Sequence, residues 1–280
     1  MAKTVSILGC GWLGFPLAEL LISKGFTVKG STTHPEKRDQ LRQAGLEPFV
    51  LGFTPHPQKE QLDDLPNFLK ADVLVVAIPP QAGRQGDDFH PLQIMHLSEH
   101  LKLSTIDKII YISSTSIYAD ENREITEEEP IIQGEANAAL RRAEEILSGL
   151  HRKFIILRCG GLMGYDRIPG KYFIGKKEIN TGSVPVNFVH RDDVIGIIYE
   201  VIRQEKWNEV FNVVAPEHPV RKDIYLKNAG EFGWEAPSFK EGEMPPYKVV
   251  NSNKVIKALQ YSFQYPDPLQ FQYELPQVRN

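Results

Sequence analysis

A chain of 280 residues with 41% apolar side chains can bury a sizeable core, either as one large domain or as two smaller ones. Its 32 basic and 36 acidic residues leave a net charge of −4, which gives no electrostatic footprint for nucleic acid or an anionic membrane and makes a small molecule the default ligand. Two cysteines, Cys10 and Cys159, are too few for a disulfide framework or a four-ligand zinc site, so a reducing, cytoplasmic setting is expected.

The first predicted strand, Thr4-Val5-Ser6-Ile7-Leu8, runs directly into Gly9-Cys10-Gly11-Trp12-Leu13-Gly14. Gly9 permits a tight turn out of the strand, Gly11 lets backbone approach a pyrophosphate, and Gly14 lets the following helix pack on the sheet. The spacing alone is a loose signal, and its context supplies the rest. Leu13, Leu17, Leu20 and Leu21 repeat at helical spacing, Gly25 is a stop signal, and Phe26 to Gly30 reads as a second strand. Gly9, Gly11, Trp12, Leu13 and Gly14 are therefore expected to cradle dinucleotide phosphate at a helix N-terminus. Cys10 and Cys159 read as packing residues, with Cys10 placed where it can face the ligand.

Dinucleotide sites that prefer NAD carry an acidic residue at the end of the second strand, about 20 residues past the glycines, to bind the ribose 2′-hydroxyl. This chain offers Ser31, Thr32, Thr33 and His34 there instead, followed by Lys37 and Arg38. Hydroxyls and cations suit a 2′-phosphate, so NADP is preferred over NAD, with Ser31, Thr32, Thr33 and Arg38 as its ligands.

Further strands are expected near 47–51, 72–78 and 107–113, alternating with helices near 35–44, 60–70 and 89–104. The run Val73 to Ile78 lacks polar alternation, as a central strand buried on both faces should, and is far too short to cross a bilayer. With a strand beginning at Thr4, no export signal is expected. A helix near 135–149, a strand at Phe154 to Leu157, a strand ending at His190, a helix near 191–204 and a strand at Val210 to Val214 continue the alternation. The fold class is α/β: a doubly wound parallel sheet of the Rossmann type, with ligands at the carboxyl ends of its strands, and a smaller mixed lobe. The expected boundaries are 1–160 for the dinucleotide domain, with 187–214 returning to the sheet, and 161–186 with 215–280 for the substrate lobe. Ile78 at the end of the fourth strand, Pro79 after it, and Ser113 at the end of the fifth are expected to contact the dinucleotide in the same crevice. His190 with Asp192 and Asp193 lies at a strand-to-helix junction where Asp commonly caps, so no metal is expected.

Five segments in this order resemble the extended branch of the short-chain dehydrogenase/reductase superfamily, the NAD-dependent epimerase/dehydratase group. They are the glycine turn, Tyr111 to Tyr118, Leu157-Arg158-Cys159-Gly160-Gly161, Phe188 to Val194, and Phe211-Asn212-Val213-Val214. The resemblance implies an oxidoreductase or epimerase acting on a carbonyl or nucleotide-sugar substrate, with Ser114 holding the substrate oxygen. It also implies a Tyr on the next helix as proton donor and a Lys four residues later. Here that pair is missing: one register puts Ala136 and Leu140 at the two places, the other Asn137 and Arg141. Asn cannot transfer a proton and Arg stays charged. The departure resembles an atypical subgroup that has a Gly-x-Gly-Trp-Leu-Gly turn and lacks the standard Tyr-Lys site. Tyr118 is the nearest replacement acid in sequence, and its other reading is an aromatic packed beneath the loop. Arg158, Arg167, Lys171 and Arg221 are candidate phosphate contacts or simply solvated. Two functions stay open, a catalyst and a non-catalytic NADP(H)-binding sensor or regulatory module. A homodimer is the assembly the resemblance allows.

Overall fold

The computed structural model describes residues 3–54, 62–131 and 137–275. Strand β1 (Thr4–Leu8) leads into helix α1 (Gly14–Ser23), and β2 (Thr27–Thr32) is followed by α2 (Arg38–Gln43) and β3 (Glu47–Val50). Then come α3 (Leu65–Phe68), β4 (Val73–Val76), α4 (Ala82–Gln85), α5 (Phe89–Lys102) and β5 (Lys108–Ser114). The remainder holds β6 (Arg123–Ile125), α6 (Ala138–Ser148), β7 (Lys153–Cys159), β8 (Gly161–Met163), β9 (Phe188–His190), α7 (Arg191–Gln204), β10 (Glu209–Val213), α8 (Arg221–Phe232), β11 (Lys248–Val250) and α9 (Asn253–Leu259).

Seven strands form one sheet in the order β10-β7-β5-β4-β1-β2-β3, and β3, β2, β1, β4 and β5 pair in parallel. Chain order reverses between β1 and β4. Ligands of open α/β sheets bind outside the carboxyl ends of the strands at such a switch point. The doubly wound α/β expectation therefore holds. All four residues of β4 are buried, as its unbroken apolar run requires, and Leu8, Phe68, Leu74, Val76, Ile94, Leu97 and Tyr111 belong to one large core cluster.

By contacts, one compact unit comprises Met1–Ile117, Ile131–Arg158 and Ile198–Val210, and the other Tyr118–Pro130, Cys159–Ile197 and Phe211–Asn280. Residues 118–130 and 187–197 thus group with the second unit, where sequence reading assigns them to the first or to its sheet. The reason is pairing: β6 joins β11, and β9 joins β8, each in parallel. Within the second unit Asp193 ties down the segment that follows α9. Its carboxylate accepts hydrogen bonds from the Gln264 and Tyr265 amides at 2.7 and 3.1 Å and from the Tyr261 hydroxyl at 3.1 Å.

The expected helix near 60–70 is a single turn at α3, and residues 60 and 61 lie outside the described residues. The helix expected from 135 starts at Ala138, with 135 and 136 likewise outside them. Strands β6, β8 and β11 escape sequence reading because three residues are too few to show a period of two.

Candidate functional site

Three glycines build the turn after β1, and each has a different neighbourhood. Gly9 has φ +102°, and a side chain there would lie 3.2 Å from the Ala77 backbone and from Ile78 Cγ2, so the turn packs on the end of β4. Its amide donates to Ser31 Oγ at 2.9 Å, and the next amide, of Cys10, donates to the Ser31 carbonyl at 2.8 Å. A Cβ on Gly14 would lie 2.2 Å from the Gly9 carbonyl oxygen, so the start of α1 and the turn are in backbone contact. Gly11 differs: a Cβ there would meet no atom within 4 Å.

Gly9 and Gly14 are thus explained by the protein itself, whereas Gly11 borders space that the described residues leave open. Helix α1 begins beside that space with Leu13 at its N-cap, no side-chain cap bond and no acidic residue in its first turn. The Phe15 and Leu17 amides already bond the Gly11 and Leu13 carbonyls and Pro16 has no N–H, so what this end offers an anion is chiefly its positive dipole. Bare glycine, uncapped helix and switch point together fit a dinucleotide pyrophosphate. Cys10 points away from it. Its thiol is buried, reaches the Ile7 carbonyl at 3.9 Å and lies 2.7 Å from where a Gly30 side chain would start. Burial pushes its pKa up to about 12, so it is an unreactive packing group rather than a face of the ligand site.

At the end of β2, Ser31 and Thr32 are buried while Thr33, His34, Lys37 and Arg38 are exposed. Thr32 Oγ1 accepts the His34 amide at 3.1 Å, a turn that sends the chain out of the sheet. His34 pairs with Glu36 at 3.0 Å. Lys37 and Arg38 make no ion pair among the described residues, and Arg38 is the first residue of α2.

At the end of β5 the two serines diverge. Ser114 Oγ accepts the Ser116 amide at 3.1 Å, which orients the oxygen and leaves its own proton to donate. Ser113 is buried, and its hydroxyl donates to Glu144 Oε1 at 2.6 Å. Arg158 closes on the same carboxylate from β7, with Nε 3.2 Å from Oε1 and Nη2 2.7 Å from Oε2. Both charged side chains are about 95% buried, with 5% and 4% of their surface exposed. Beneath them the Tyr111 hydroxyl meets His90 Nε2 at 2.8 Å, His90 Nδ1 meets Gln93 Oε1 at 3.3 Å, and the Gln93 amide donates to the Phe53 carbonyl at 2.5 Å. Burial lowers the His90 pKa to about 4, so the ring is neutral, and raises that of Tyr111 well above its ordinary value.

Helix α6 brings no tyrosine or lysine to this edge. Ala136 lies outside the described residues. Leu140 is buried, Asn137 has φ 63° and donates its side-chain amide to the Ser116 carbonyl, and Arg141 holds Glu145 at 2.8 Å. The structure therefore brings together Ser114, Ser116 and Asn137 as polar groups around one loop, none of them an acid or base near neutral pH.

Within the second unit Tyr118 is 2% exposed and its hydroxyl donates to Asn212 Oδ1 at 2.8 Å. The Asn212 side-chain amide bonds the Asn251 carbonyl at 3.2 Å, and its backbone amide bonds Glu127 at 2.7 Å. Tyr118 thus sits inside a structural network. His190 is buried and its ring lies tilted by 32° against Tyr265, with centroids 3.8 Å apart. Tyr165 donates to Asp192 at 2.7 Å, and the Arg191 guanidinium lies 3.8 Å over the Tyr165 ring. Burial and the nearby Arg191 charge pull the Arg167 pKa down, opposed by Asp166 and Tyr172.

Sequence reading misses Glu144 and His90. Glu144 could have been found, because it shares the inward stripe of α6 with Ala139, Leu140, Ala143 and Leu147. A carboxylate on such a stripe needs a buried partner.

The family model described as NAD(P)H-binding matches residues 9–205. This chain belongs to the NAD(P)H-binding family. It is 34% identical over 272 residues to protein YeeZ of Escherichia coli (strain K12), spanning 95% of this chain and 98% of that protein. Among solved structures it is similar to UDP-glucuronic acid 4-epimerase from Bacillus cereus in complex with NAD, at 18% identity and TM-score 0.77 over 96% of this chain and 94% of that one. UDP-glucose 4-epimerase from Thermotoga maritima with UDP-glucose gives TM-score 0.77 at 14% identity, over 93% of this chain and 94% of that one. These likenesses establish a Rossmann-type, epimerase-like fold, and the family supplies the ligand class, a nicotinamide dinucleotide. Among the described residues no helix is long and apolar enough to cross a membrane.

Proposed function

We propose that the protein is an NADP(H)-dependent oxidoreductase or epimerase acting on a carbonyl or nucleotide-sugar substrate, in a cytoplasmic setting that suits two buried, unpaired cysteines. The observation that supports it most is the open space at Gly11 beside the uncapped start of α1. A bound nicotinamide would supply hydride donor or acceptor chemistry. The glycine turn holds the pyrophosphate, Ile78 and Pro79 border the crevice beyond β4, and Thr33 with Arg38 takes the adenosine 2′-phosphate. Arg38 contributes a charge-assisted bond that the hydroxyl of NAD cannot match.

Ser114 donates its hydroxyl proton to the substrate oxygen, where preorganised donation stabilises developing negative charge. The chain offers no Tyr-Lys pair to complete proton transfer. In this reading Tyr118, whose hydroxyl is committed to Asn212, is not the acid. A second reading rests on that gap: an NADP(H)-binding module whose occupancy is the signal, with Asn137 and Arg141 bound to Ser116 and Glu145 instead of assisting chemistry.

Fluorescence titration with NADPH and NADH tests the ligand. NADPH should bind more tightly, and Arg38→Ala should remove the difference. A screen of nucleotide-sugars and small carbonyls, followed by loss of NADPH absorbance, then separates the two readings. Turnover that survives Tyr118→Phe and is lost in Ser114→Ala supports the enzyme. Saturable binding without turnover across the screen decides for the module.

A further inference from the structure

Ser31 stands where a ribose ligand is expected, yet it is 2% exposed and both its oxygens face the glycine turn. Its hydroxyl accepts the Gly9 amide at 2.9 Å and its carbonyl accepts the Cys10 amide at 2.8 Å. The β1–β2 ladder runs in register to Ile7 opposite Gly30, and Ser31 carries the contact past it in two ways, with its carbonyl taking the Cys10 amide and its side chain taking the Gly9 amide. Gly9 has φ +102° and its carbonyl presses on Gly14 at the head of α1. Fixing the Gly9 amide therefore fixes the plane of the turn and the place where α1 starts.

We propose that Ser31 is a positioning residue for the pyrophosphate rather than a ribose ligand, a reading that rests on the dinucleotide site proposed above. It hangs the glycine turn from β2. Discrimination between the 2′-phosphate and the 2′-hydroxyl then falls to the exposed residues that follow, Thr33 and Arg38. The two roles predict different signatures. A residue acting on the pyrophosphate affects every dinucleotide alike, because NADPH, NADH and ADP-ribose share that group. A residue touching the ribose changes the ratio of NADPH to NADH.

The test is Ser31→Ala, with Ser31→Thr as the variant that keeps the hydroxyl. Affinities for NADPH, NADH and ADP-ribose are measured by titration, and protection of the Gly9 amide by hydrogen exchange without ligand. Ser31→Ala should weaken all three ligands by a common factor of about ten, the size of one buried donor left without its acceptor. The NADPH-to-NADH ratio should hold and the Gly9 amide should lose protection. Ser31→Thr should recover binding and protection together. A selective loss of NADPH, or unchanged affinities in Ser31→Ala, overturns the assignment while leaving the dinucleotide site standing. Failure of the wild-type protein to bind any of the three overturns the site and the assignment with it.

Discussion

The glycine turn and the β5–α6 layer belong to the same compact unit, and both carry residues that sequence reading places in a nicotinamide site. They differ in whether their groups already have partners. Around Gly11 the described residues leave space beside a helix start that has no side-chain cap bond. Behind Ser114, by contrast, Ser113, Glu144 and Arg158 answer one another, as do Tyr111, His90 and Gln93. Gly25 and Gly86 are as open and α5 is as uncapped, so it is the coincidence of both features at the switch point that points to a ligand, whereas mutual satisfaction points to structure. A buried ion pair is itself weak evidence for net stability, but removing one partner strands the other charge in a dry interior.

That contrast is broken most directly at Glu144. Glu144→Ala leaves the Arg158 guanidinium buried without its carboxylate and Ser113 without its acceptor, and should cost about 3–5 kcal/mol in urea unfolding. If stability barely moves, the layer is not held by this carboxylate, and the division between committed and uncommitted groups fails at its strongest point.

The His90 network gives the same contrast a pH dependence. His90 is held near 4 in the fold against an ordinary value of 6.5, because burial disfavours the charged ring. The unfolded chain therefore takes up a proton below 6.5 that the folded chain refuses. His90's contribution to stability is complete above about pH 6.5, falls as pH drops, and levels off below about 4. The loss is of the order of 3 kcal/mol. Urea midpoints measured from pH 7.5 to 4 should show this slope in the wild-type protein, and His90→Gln should flatten it. Equal slopes in the two proteins would remove the network from the account.

How much of this was legible in the sequence follows from the range of the interactions. The order of strands and helices was, because β4 is a continuous apolar run and α1 repeats its leucines at helical spacing. So was the glycine turn between β1 and α1, whose three glycines lie within six residues of one another. The three-residue strands β6 and β11 were not, since each is held by pairing with residues more than a hundred positions away. The direction of a single hydroxyl was also out of reach. Ser31 lies 22 positions from Gly9, and only the register of β1 on β2 turns it toward that amide rather than the ribose. Tyr118 likewise gains its partner, Asn212, from 94 positions away.

The two glycines that differ most in their surroundings sharpen the contrast at the smallest scale. Gly14→Ala would place a methyl carbon 2.2 Å from the Gly9 carbonyl oxygen, a backbone atom that can move only by shifting the turn or the helix. Overpacking of this kind typically costs 1–3 kcal/mol, and dinucleotide affinity should fall with stability. Gly11→Ala meets nothing within 4 Å and has no positive φ to protect, so its stability should stay within about 0.5 kcal/mol of wild type. Its methyl group would occupy the space assigned to the pyrophosphate, so NADPH binding should still weaken, by about tenfold or more. Thermal melts and NADPH titrations on the same two preparations measure both effects. Gly11→Ala that binds NADPH normally would show that the open space at the turn belongs to solvent, because none of the described residues lies close enough to resist that methyl group.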